Sequence, residues 1–202
     1  LIDALVSLYE LTFAPRWLRA ATELAEVMVD QFADPADPGF FFTGRDHEPL
    51  IARLKDTHDS STPSGNSMAV TALLRLATLT GRTDLRERAE ATLRASRGLM
   101  ESSPSAAGQM LLALDFYLGP VQEFAVVGDP STTETQRVLR AIRAGFRPNK
   151  VVALRTDADS EQAVPLLQGK SAAGGVTTYI CQNFACQAPL IGAEAVEKAL
   201  TD

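Results

Sequence analysis

The sequence predicts a mainly α-helical protein of stacked α-hairpins, followed by a small α/β unit with a short parallel sheet. Three observations carry this. Apolar residues recur at helical spacing through most of residues 1–120, two helical stretches repeat at a constant offset, and beyond Gly119-Pro120 the pattern changes to short apolar runs around one amphipathic helix. The expected division is a helical region over 1–120, with a loop inserted at 34–64, and an α/β unit over 121–202.

In chain order, Leu1, Leu5, Leu8 and Leu11 place a helix over 1–12. No cap precedes it, so the chain reads as a fragment or a processed piece. Residues 65–81 form a second amphipathic stretch. Ala4, Leu5, Leu8, Leu11 and Thr12 fall on Ala72, Leu73, Leu76, Leu79 and Thr80, an offset of 68 residues. The helices that follow keep it, with Trp17 on Leu85, Ala21 on Ala89 and Phe32 on Met100. Each copy is helix, turn, helix. One such hairpin cannot bury its own apolar stripe, so several must stack in a bundle, a solenoid or a closed ring. Between the copies, Gly39–Thr43 and Pro49–Arg53 flank the polar tip Gly44–Glu48, which predicts a β-hairpin or a long folded loop. A connection longer than thirty residues is unusual in a compact domain and marks a functional segment. A helix over Ala106–Leu118 closes the helical part.

Glu123–Val127 then reads as a strand. Ser131, three residues before Glu134, has the form of a capping box opening a helix with Val138, Leu139 and Ile142 on one face. Lys150–Leu154 is the next strand, and strand-helix-strand at this spacing favours parallel pairing. A third strand over Thr177–Cys181 and a helix over Ala193–Leu200 complete the unit.

Of the 202 residues 46% are apolar and 22% charged, which suits a folded domain rather than a disordered one. The net charge of −6, with dispersed basic residues, argues against nucleic acid and against an anionic membrane surface. No apolar run approaches the roughly 20 residues of a membrane span. Two cysteines, Cys181 and Cys186, are too few for a disulfide scaffold. A reducing, cytoplasmic setting is therefore expected, with buried thiols as the first reading and an oxidisable pair as the other.

The stretch Asp46-His47-Glu48-Pro49-Leu50-Ile51, with Arg53, Lys55-Asp56, Asp59 and Pro63-Ser64-Gly65-Asn66-Ser67, resembles the C-terminal region of one family. So does the later run Tyr179–Gln187. The family is the thioredoxin-domain-containing, spermatogenesis-associated protein 20 family, called YyaL-type in bacteria. His58 and Ser60-Ser61 depart from its pattern. The resemblance implies an N-terminal thioredoxin-like domain, absent here, as partner. It also implies a partial (α/α)6 toroid like that of glycosidases and sugar 2-epimerases, and it carries fold further than function.

The candidate site is the acidic loop and the helix start after it. Asp46, His47, Asp56 and Asp59 are candidate acid, base or nucleophile groups, since paired carboxylates or a histidine serve glycoside hydrolysis and epimerisation. Ser64, Gly65 and Asn66 offer a helix N-terminus and an amide to a sugar hydroxyl or an anion, and Phe40 and Phe42 offer a stacking face. No metal or cofactor is expected, because no ligand pair sits at i, i+4 and no phosphate-loop motif is complete. The leading function is a carbohydrate-active toroid, hydrolase-like or epimerase-like. The rival is a non-catalytic scaffold coupled to a thioredoxin-like redox domain through Cys181 and Cys186. Whether the protein is an enzyme stays open at this point.

Overall fold

The computed structural model describes residues 1–48, 51–155 and 164–201. Among these residues eight α-helices precede or flank one small sheet. Helices α1 (Ile2–Thr12), α2 (Pro15–Phe32), α3 (Gly65–Thr80), α4 (Thr83–Ala95), α5 (Arg97–Ser102) and α6 (Gly108–Leu118) come first. Strand β1 (Gln122–Val127), α7 (Thr133–Arg143), β2 (Lys150–Arg155), β3 (Thr177–Gln182), β4 (Ala185–Cys186), β5 (Leu190–Ile191) and α8 (Ala193–Thr201) follow. The chain divides into two compact units. The first holds residues 1–7, 16–77 and 82–119, and the second holds 8–15, 78–81 and 120–202.

In the first unit α3 is the buried element. Val70, Leu73, Leu74 and Leu76 are fully enclosed, and small residues, Ala69, Ala72 and Ala77, let neighbours approach. A helix apolar on all sides belongs inside a domain. Leu18, Ala21 and Ala25 of α2, Leu85, Ala89 and Leu93 of α4, and Met110 and Ala113 of α6 supply the rest of the core. Ion pairs tie helices at the surface: Arg75 of α3 to Asp3 of α1, and Arg82, between Glu26 and Asp84, to α2 and α4. Ser96 interrupts the run between α4 and α5, its hydroxyl donating to the Thr92 carbonyl at 2.9 Å. The expected helix from Ala106 begins instead at Gly108, after a 3-10 turn over Pro104–Ala106.

Two helix boundaries fall at the repeat spacing, while the starts of α1 and α3 and the ends of α2 and α4 do not. Helices α1 and α3 stop at residues 12 and 80, and α2 and α4 start at 15 and 83. Just past each stop the backbone turns left-handed, at Phe13 (φ 56°) and Gly81 (φ 67°). This is the usual way to end a helix, and Gly81 adopts it without cost. Phe13 compensates by burial, packing edge-on against Tyr9 with ring centroids 6.1 Å apart.

The sheet of the second unit runs in the order β2-β1-β3-β4, with β5 also on β3. Strands β1 and β2 pair in parallel around α7, as the spacing predicts. The sheet is nevertheless mixed rather than parallel, because β3 runs antiparallel to β1 and β4 and β5 run antiparallel to β3. The core is Phe124–Val127, Val151–Leu154 and the apolar face of α7. At the edge strand the Glu10 carboxylate accepts the Val152 N–H at 3.0 Å, which meets one otherwise open ladder donor.

At the start of α7 and at the cysteines the structure differs from the expectation. Thr132, not Ser131, caps α7: its hydroxyl accepts the Thr135 N–H at 3.2 Å, while Ser131 bonds to Asp129. Glu134 closes no capping box and instead accepts the Ala193 N–H at the start of α8. The cysteines are not thiols but a disulfide. Asn183 and Phe184, both at positive φ, make a two-residue turn of the I′ kind, which sets Cys181 directly opposite Cys186. Replacing Thr132 by Ala is expected to destabilise the protein by about 1 kcal/mol, and replacing Ser131 by less. Urea unfolding of the two variants checks this.

Candidate functional site

Each candidate residue is placed by how the 34–64 segment meets α3. The segment is a folded loop, and the β-hairpin alternative does not hold among its described residues; Pro49 and Leu50, in one expected arm, lie outside them. Only an isolated bridge, Ala33 to Phe40, has strand character. The reason is local. Where a partner strand would bond to Phe40, the Asn66 side chain does so, its Oδ1 accepting the Phe40 N–H at 2.8 Å and its Nδ2 donating to the Phe40 carbonyl at 2.9 Å. Nδ2 also donates to the Asp56 carbonyl at 2.7 Å, so Asn66 (2% exposed) spends its amide on backbone. Gly39, at φ 109°, makes room for this clamp, since a Cβ there would lie 3.0 Å from Asn66 Oδ1.

The first N–H groups of α3 are met from the same loop. Asp59 Oδ1 accepts the Ser64 N–H at 2.8 Å, and Asp56 Oδ2 accepts the Gly65 N–H at 3.1 Å. The Asp56 carbonyl takes the Asn66 N–H at 3.3 Å, and Ser64 Oγ takes the Ser67 N–H at 3.1 Å. The helix start therefore holds its own loop, and the donors expected to face an anion or a sugar hydroxyl are already engaged. Asp59 does more: its Oδ2 accepts the Gln109 N–H at 2.7 Å, so one carboxylate caps both α3 and α6. Burial pushes the Asp59 carboxyl up, but the bonds from Ser64 and Gln109, with the Ser67 and Ser64 hydroxyls, outweigh it and hold the group below the usual carboxylate range.

A cavity of about 330 Å³ opens beside this junction, lined by Met28, Phe32, Phe40, Phe41, Phe42, Asp56, Gly65, Asn66 and Ala69. Five candidates thus share one wall: Phe40, Phe42, Asp56, Gly65 and Asn66. Asp46 and His47 do not line it; both are exposed at the loop tip, His47 Nδ1 lying 3.2 Å from the Glu48 carbonyl. Asp59 and Ser64 stand behind the wall as caps. Phe42 is 73% exposed and forms an open aromatic face, whereas Phe40 is buried. Phe41 is held from behind by cations, with the Arg53 guanidinium 4.1 Å and the Lys55 ammonium 5.5 Å from its ring centre. Lys55 is itself anchored to Asp34 at 2.8 Å. The loop motif gave no sign of Met28 and Phe32, whose i, i+4 spacing on α2 was the available signal.

Two outcomes are expected. Asn66→Ala leaves the buried Phe40 backbone groups unpaired and costs about 2–4 kcal/mol in denaturant unfolding. Asp59 has a lower pKa folded than unfolded, so its stabilisation is complete above about pH 4 and is lost as pH falls through the folded value. Asp59→Asn should therefore lower stability at neutral pH and flatten its decline between neutral and acid pH, as measured by urea midpoints across that range.

No family model matches the chain. Spermatogenesis-associated protein 20 of Mus musculus is 30% identical over 197 residues, covering 94% of this chain and 25% of the mouse protein. The Homo sapiens protein of the same name is 29% identical over 195 residues, again 94% of this chain. An uncharacterized protein of Caenorhabditis elegans is 25% identical over 199 residues, 98% of this chain. The chain spans about a quarter of the length of the curated relatives it matches. Along nearly all of its length, the chain is similar to one region of the proteins named spermatogenesis-associated protein 20.

Proposed function

We propose that the first unit binds a saccharide in the cavity between α2, the 34–64 loop and α3. The observation that carries this reading is the pairing of an exposed aromatic face, Phe42, with the Asp56 carboxylate across a mostly apolar wall. A pyranose has one face of C–H groups, which packs on an aromatic ring, and a rim of hydroxyls, which needs a few fixed acceptors. Asp56 uses Oδ2 on the Gly65 N–H, and no donor among the described residues engages Oδ1. In the same reading the helix pairs are successive hairpins of a toroid, supported by the turn from α1 to α2 and the turn from α3 to α4, which lie 68 residues apart.

Binding is favoured over hydrolysis by this chain alone. Two carboxylates must flank a glycosidic bond. Here Asp59 is committed to two helix starts, and Asp46 and His47 lie off the cavity. A glycosidase or epimerase activity of the longer protein would draw its remaining groups from outside this wall.

Calorimetry against a panel of mono- and disaccharides tests the reading. Phe42→Ala should weaken the best ligand about two- to tenfold. Asp56→Asn, which keeps an acceptor for Gly65, should weaken it by about tenfold. Both variants should unfold as the parent does. Absence of any saccharide ligand, or variants that bind as the parent, contradicts the proposal.

A further inference from the structure

The disulfide in the second unit carries an inference independent of the cavity. Cys181 is buried, at 3% exposure, in β3, whereas Cys186 is exposed in the two-residue edge strand β4. The bond links residues only 5 apart in sequence. Restraint of the unfolded chain grows with the length of the loop closed, so a cross-link this local is a weak staple for the fold. It does constrain the turn. Phe184 sits at φ 63°, an uncommon conformation for a bulky residue, and is 43% exposed. Two groups hold it there: the disulfide across the strands, and the buried Glu123 carboxylate, which accepts the Phe184 N–H at 2.9 Å.

We propose that Cys181–Cys186 is a thiol-exchange site, opened by a small thiol of the glutathione class attacking Cys186. The attacking thiolate forms a new S–S bond to Cys186 Sγ. The Cys181–Cys186 bond breaks, and its electron pair leaves on Cys181 Sγ, which takes a proton from solvent. A second thiolate then attacks the mixed disulfide, releasing oxidised glutathione and leaving Cys186 as a thiol, so two electrons pass from two thiols to the protein. Attack is directed to Cys186 because an incoming thiolate needs access to the sulfur, and Cys181 is covered. Once the bond opens, β4 keeps only its two residue pairs with β3, and the turn can leave its left-handed form. Exchange therefore switches the edge of the sheet between a clamped and an open hairpin.

The test uses protein purified without reductant. It is held under native conditions with glutathione at a series of reduced-to-oxidised ratios, quenched with iodoacetamide and mapped by peptide mass spectrometry, with circular dichroism reporting the fold. The expected result is a glutathione adduct on Cys186, with Cys181 alkylated in the same molecules, while the fold is intact. Cys186→Ser should abolish the adduct and Cys181→Ser should retain it. Reduction only on global unfolding, an adduct on Cys181 of the parent, or two free thiols in the purified protein overturns the proposal; the mapping of the parent stands without the variants.

Discussion

The first unit depends on how the start of α3 is closed. This helix is buried on nearly every side, and Ser64, Asn66 and Ser67 at its N-terminus are as enclosed as its apolar middle. Ser64, Asn66 and Ser67 are closed off from water, so the protein must supply acceptors for their N–H groups. It does so with Asp56, Asp59 and Ser64, two of them carboxylates placed where the helix dipole favours negative charge. The same bonds fasten a loop that has no strand ladder of its own. Asp59 then joins α6 to the junction, and Asn66 fixes Phe40, which sets the aromatic wall of the cavity. Capping, loop folding and cavity shape are one set of interactions.

The second unit solves a different problem, a small sheet with open edges. Its three longer strands are mostly apolar, with β1 parallel to the edge strand β2 and antiparallel to β3, and β4 and β5 are short antiparallel pieces at the margins. Glu10 covers a backbone N–H of β2, and Glu134 covers the first N–H of α8. Arg137 and Glu197 form a two-pronged pair between α7 and α8. On the exposed surface such pairs add little stability, so the apolar face of α7 must carry most of the packing.

What was legible in the sequence follows from which signals are local. Helical periodicity placed α1 to α4 and α7 well, because apolar stripes are written in neighbouring residues; the repeat was only partly legible, since α2 and α4 stop at residues 32 and 95 rather than at the repeat spacing. The direction of β3 was not legible, since parallel and antiparallel strands share the same alternation. The cap of α7 moved by one residue because Asp129 competes for Ser131. The disulfide needed the I′ turn, which Asn183-Phe184 signals only weakly without glycine. At the candidate site, an acidic residue near a helix start reads the same whether it caps or reacts. Only geometry separated Asp59, committed to two helices, from Asp56, which also faces the cavity.

Backbone amide hydrogen exchange tests the central claim most directly. If the loop and the α3 start are one bonded unit, the amides of Phe40, Ser64, Gly65, Ser67 and Gln109 are protected together, to the same degree as those inside α3. In an Asn66→Ala or Asp59→Asn background they should lose protection together. Ser64 and Gly65 exchanging at the rate of a solvated loop in the parent, while the interior of α3 stays protected, would contradict the account.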